Sequence, residues 1–152
     1  MTFKKILLTF LNGKKKEIGH GYEIFINHND EDSWVEIGDN TIGSYPRLLL
    51  KFMNKESNNV FFVFLENANF VVTNDEIDIK TFSEMNFFKE SKKPVLLNDE
   101  ISTNKKRILE LTSNQFFGWS IEEIMELENL EYKNFVLTMR KLLKLEEVED
   151  YE

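Results

Sequence analysis

Val60-Phe61-Phe62-Val63-Phe64-Leu65 is apolar at six consecutive positions, so no side of this run is suited to water. Rich in aromatic and β-branched residues, it reads as a central strand covered on both faces, and such a strand requires partners. They stand on both sides of it. Upstream, Tyr22, Ile24 and Ile26 alternate with Glu23, Phe25 and Asn27; beyond the polar tract His28 to Asp32, Val35 and Ile37 alternate with Trp34 and Glu36. That pattern predicts a hairpin. Arg47 to Met53 alternates likewise, although Ser44 before Tyr45-Pro46 also suits a short helix cap. Downstream, the polar break Glu66-Asn67-Ala68-Asn69 separates the run from Phe70 to Thr73. With Lys5 to Leu11, about six strands in meander order are expected.

Near residue 80 the period changes. Thr81 followed by Glu84 has capping-box spacing, which predicts a short helix from Phe82 to about Glu90. Ser91-Lys92-Lys93-Pro94 then reads as a connector between a β-rich domain, residues 1–93, and a helical module, residues 94–152. Three helices are expected in the latter. The first runs from about Ser102 to Leu111, with Ile101, Ile108 and Leu111 inward. The second starts at Ser120, capped with Glu123 after Gly118, and carries the stripe Ile121, Ile124 and Met125. The third runs from about Glu131 to Glu146, with Phe135, Met139, Leu142 and Leu145 on one buried face.

Trp119-Ser120-Ile121-Glu122-Glu123-Ile124-Met125-Glu126-Leu127-Glu128-Asn129-Leu130 resembles the second helix and turn of the winged helix-turn-helix superfamily, with Asn129 where that family prefers glycine. Phe135, Met139, Leu142 and Leu145 fall on its third-helix core positions, and Val148 where its first wing strand begins. The resemblance implies an α+β chain ending in a three-helix winged-helix-like module. It also implies DNA contacts through Lys133, Asn134, Arg140 and Lys141. Two departures are plain: Glu146 replaces the usual glycine before the wing, and no return strand is expected before Glu152.

Charge opposes DNA binding. Residues 98–152 hold seven Lys or Arg against thirteen Asp or Glu, whereas residues 1–97 hold twelve against fourteen, within a chain of net charge −8. Phosphate neutralisation dominates non-specific DNA affinity, so an acidic module is repelled. The acidic groups Glu122, Glu123, Glu126 and Glu128, and Asp30, Glu31 and Asp32, instead suit a protein partner with a basic surface. Phe116, Phe117 and Trp119 offer an aromatic anchor beside the first group.

Other classes are closed by what the 152 residues lack. Without cysteine there is no disulfide framework, thiol nucleophile or cysteine-based zinc site. His28 with Asp30 or Asp32 lacks the glycine of a calcium loop and the helical spacing of a zinc motif, so no metal or cofactor is expected. No nucleophile elbow, phosphate loop or dinucleotide fingerprint occurs. No apolar run reaches the roughly 20 residues that span a bilayer, and the run after Lys4-Lys5 is too short for a signal peptide, so a cytoplasmic protein is expected. The abundance of Phe, Asn, Lys, Glu and Ile reflects an AT-rich coding bias. The expectation is therefore a non-enzymatic regulatory or inhibitory protein, of the kind phages and mobile elements encode, engaging a nucleic-acid-handling protein through acidic residues. The alternative is a winged-helix transcriptional regulator.

Overall fold

The computed structural model describes residues 1–114 and 118–152. Two compact units are present, Met1–Glu90 with Glu146–Glu152, and Ser91–Leu145. The first is built on β1 (Lys5–Thr9), β2 (Lys15–Ile18), β3 (Tyr22–Asn27), β4 (Trp34–Glu36), β5 (Ile42–Asn54), β6 (Asn59–Thr73), β7 (Glu76–Lys80), β8 (Phe87–Glu90) and β9 (Leu145–Val148). The strand order is β2-β1-β7-β6-β5-β3-β4, while β8 pairs with β6 and β9 with β8.

The α+β class is observed, but the meander is not. β1 lies parallel to β7, with Ile6 opposite Ile77 and Leu8 opposite Ile79, so the first and seventh strands are neighbours. Alternation indicates which residues form strands and carries no term for pairing between distant strands. β6 is central, as its apolar run predicts: it pairs with β5, β7 and β8. The polar stretch Glu66 to Asn69 does not interrupt it. Tyr45↔Ala68 and Arg47↔Glu66 keep one register on either side of Pro46 and Asn67, where Pro46 has no amide to donate and Asn67 turns left-handed at φ 48°. The same pairing rules out a capped helix at Ser44. Two strands lie where the sequence reading expected only loops. β2 is lysine-rich, and β7 follows a two-residue turn whose Asn74 and Asp75 both take positive φ, the twist that suits a tight hairpin.

The short helix expected over Phe82 to Glu90 is absent, and its second half is β8. Thr81 caps nothing: its hydroxyl donates to the Glu66 carbonyl at 2.8 Å and accepts the Ser83 amide at 3.2 Å, fastening this segment to β6. Side chains at alternate positions of β3, β5 and β6 form the core, in which Phe52 and Phe61 stack at 4.6 Å. On the opposite face, Phe25, Lys51 and Phe62 lie in one cross-strand row, and the Lys51 ammonium stands 4.7 Å from the Trp34 ring centre.

The helical unit corrects the winged-helix expectation. Among the described residues there are two helices, α1 (Asn98–Ser113) and α2 (Ile121–Leu143). The second and third helices of the sequence reading are one. No glycine or proline occurs between Ile121 and Leu143, so Asn129 remains helical where the resemblance required a turn. Val148 ends a strand that joins β8 and does not open a wing hairpin. No described helix is long and apolar enough to cross a membrane.

Candidate protein-binding face

α2 is defined by its ends. Gly118 takes φ +78°, a conformation that disfavours a Cβ, and the Trp119 indole donates to the Leu111 carbonyl at 2.7 Å, turning the chain from α1 into α2. The Ser120 hydroxyl then accepts the Glu123 amide while the Glu123 carboxylate accepts the Ser120 amide, both at 3.2 Å, which completes the capping box expected from sequence. At the other end Lys144 adopts the left-handed conformation at φ 56° and Arg140 Nε donates to the Leu145 carbonyl at 3.2 Å. Phe116 and Phe117 lie outside the described residues.

Within these limits the charges are segregated. Residues 121–131 carry Glu122, Glu123, Glu126, Glu128 and Glu131 and no Lys or Arg, whereas residues 132–143 carry Lys133, Arg140 and Lys141 and no acid. This order suits the helix dipole, which favours anions at its start and cations at its end. It also makes the first half of a helix about 34 Å long uniformly negative.

One apolar stripe follows the length of α2, because Ile121, Met125, Tyr132, Phe135 and Met139 recur at multiples of helical spacing. Its second half is buried, with Phe135 8% and Met139 0% exposed. Its first half is not: Ile121 is 75%, Met125 64% and the neighbouring Ile124 40% exposed. The residues assigned from sequence to the core of a second helix therefore form an open surface. Leu142, expected inside, is 53% exposed.

The four helix acids assigned from sequence to the partner face differ in what they do. Glu126 receives Arg107 at two points, Nε to Oε1 at 2.7 Å and Nη2 to Oε2 at 3.0 Å, and Arg107 also reaches Glu110 at 3.1 Å. Those bonds hold the Glu126 carboxyl below its ordinary value, and the same bonds raise the Arg107 guanidinium. Glu123 belongs to the cap. Glu122 and Glu128 are exposed and make no ion pair with any described residue. Asp30, Glu31 and Asp32 lie in the other unit, at the tip of the β3–β4 hairpin. There Asp32 accepts the Trp34 indole at 2.9 Å and Asp30 faces Arg47 at 3.8 Å. Of the residues assigned to DNA contact, Lys133 and Lys141 are exposed, Asn134 is buried, and Arg140 is engaged at the helix end.

Division by unit redistributes the charge. Ser91–Leu145 holds nine Lys or Arg against eight Asp or Glu, and the sheet unit holds ten against nineteen. The acidity that sequence halves assign to the helical module belongs in good part to Glu146, Glu147, Glu149, Asp150 and Glu152, which are part of the sheet unit. What the helical unit keeps is a local negative field over the start of α2. The sequence signal for this site was present in the unbroken helical spacing from Ile121 onward.

Comparison with known proteins replaces the winged-helix resemblance. Residues 5–86 match the family model described as the UU051 N-terminal domain, and residues 98–148 match that of the uncharacterised protein UU051 C-terminal domain. The protein named "Uncharacterized protein UU051" from Ureaplasma parvum serovar 3 is 30% identical over 148 residues, which cover 93% of this chain and 86% of the relative. With both domains matched in order, the chain belongs to the UU051 family.

Proposed function

We propose that the protein is a non-enzymatic, cytoplasmic binding module that regulates or inhibits a nucleic-acid-handling protein, and that the first half of α2 is the surface it presents. One observation carries this reading: a stripe that is buried at Phe135 and Met139 continues, exposed, through Met125 and Ile121 in a segment whose only charged residues are glutamates. An apolar patch supplies affinity on desolvation, while its acidic rim steers a basic partner and repels acidic ones. Glu122, Glu128 and Glu131 are the acids of this segment that pair with no described residue and cap no helix end.

The test is site-specific photo-cross-linking from Met125, with Leu11 of the sheet unit as a control position. A protein with a basic nucleic-acid-binding surface should be captured from Met125 and not from Leu11, and joint Glu122→Lys and Glu128→Lys should abolish capture. Equal capture from Leu11, or capture indifferent to the reversals, would overturn the assignment. So would salt-sensitive retention of random duplex DNA by the unmodified protein, since an acidic face has no cations with which to neutralise phosphate.

A further inference from the structure

We infer that the element of the partner that seats on this face is an amphipathic helix, apolar along one seam, flanked by Lys and Arg, and carrying one cation within the seam opposite Glu128. This rests on the protein-binding reading above and narrows it to a single shape of ligand.

The spacing supplies the first reason. Ile121, Ile124 and Met125 are related as i, i+3 and i+4, the set that one helix offers to another lying along it. Glu128 stands seven residues after Ile121, only about 20° round the helix from it, and therefore in the seam and not beside it. Tyr132 continues the line, half-buried, before the stripe closes at Phe135. The open seam is thus about 10 Å long from Ile121 to Glu128, two helical turns with an acid in the second.

Charge supplies the second reason. A second copy of this chain does not fit, because two such faces brought together would oppose the unpaired acids Glu122, Glu128 and Glu131 with the same three, while Arg107 is already engaged by Glu126 and Glu110. A partner helix with basic flanks satisfies Glu122 and Glu131 at the rim. Glu128 is more demanding: once covered, an unpaired carboxylate carries a large desolvation cost, which a Lys or Arg at the facing seam position removes. Polar residues in otherwise apolar helical seams select partner and register in this way. Glu128 is therefore the specificity residue of the face, and Ile121 and Met125 are its anchors.

The probes are three synthetic peptides. One is a Leu/Lys amphipathic helix with a Lys at the central seam position, the second has Glu there, and the third is a scramble of the first. Binding to the full-length protein is measured by fluorescence anisotropy at low salt. The Lys-seam peptide should bind, and Met125→Asp should weaken it by about tenfold or more. Glu128→Lys should weaken the Lys-seam peptide and restore the Glu-seam peptide, a reciprocal exchange that bulk charge attraction does not give. Circular dichroism of each variant serves as the folding control, since both positions are exposed. Equal binding of the scramble, or indifference of the unmodified protein to the seam residue, overturns the inference. If neither peptide shows seam dependence while cross-linking from Met125 still captures a basic protein, the helical ligand is wrong and the broader reading stands. If both fail, both readings fall.

Discussion

The Tyr151 hydroxyl oxygen accepts the Gly19 amide at 3.2 Å, joining positions 132 residues apart and fastening the segment after β9 onto the sheet unit. The Tyr151 carbonyl accepts the Asn59 amide group at 2.8 Å, and its ring lies 4.9 Å from Phe61, 5.8 Å from Phe87 and 6.1 Å from Tyr22. Lys16 stands over the same ring and pairs with Asp150 at 3.5 Å. One aromatic side chain thereby closes the core from the far end of the chain.

Replacing that side chain should separate its ring from its hydroxyl. Tyr151→Ala is expected to cost about 3–5 kcal/mol through lost burial and a residual cavity, and Tyr151→Phe only about 0.5–1.5 kcal/mol for the hydrogen bond. Chemical denaturation of both variants reads the difference. Equal losses would mean that the ring contributes no packing.

Alkaline pH provides a second handle on the same residue. Burial, the largest influence, raises the Tyr151 phenol above its ordinary value, against the hydrogen bond from Gly19. A raised folded value means that the unfolded chain loses this proton first. The contribution to stability is therefore complete below the ordinary phenol range and is lost as pH rises through the higher folded value. Spectroscopic titration should show one late phenolate that is missing from Tyr151→Phe, and stability should fall with rising pH more steeply in the unmodified protein than in that variant.

The corrected face of α2 leads to an alanine series. Phe135→Ala should cost about 3–5 kcal/mol and Met139→Ala about 2–5 kcal/mol, whereas Ile121→Ala and Leu142→Ala should each stay within about 0.5 kcal/mol. Denaturation midpoints decide. A large loss at Leu142 would return the helix to the face read from sequence.

Asn134 lies buried on the same helix with its Oδ1 lacking a hydrogen-bond partner in the structure. Buried acceptors left unsatisfied are costly, so Asn134→Leu should raise stability by about 1 kcal/mol. A loss of that size instead would show that the amide is satisfied in solution.

At Gly43 the backbone lies under the Phe70 ring, and an added Cβ would come within 2.3 Å of two ring carbons. Phe70 is itself buried and stacked on Tyr45, so it has little room to retreat. Gly43→Ala should cost about 1–3 kcal/mol by overpacking, and Phe70→Leu in the same chain should recover part of it. Additive losses in the double variant would refute the steric explanation.

Sequence alone determined the elements whose cause is local. The apolar run at Val60 marked the central strand, the alternation from Tyr22 to Ile37 marked the β3–β4 hairpin, and Ser120 with Glu123 marked the start of α2, because period and capping act over a few residues. Tertiary structure decided what depends on distant partners. β1 beside β7, Thr81 bonded to Glu66, and Tyr151 over Phe61 are pairings that no local pattern encodes. It also decided which part of one helical stripe is covered. Ile121 and Met139 look alike in sequence, since periodicity shows that a face is apolar and only the packing of the folded chain leaves half of that face open.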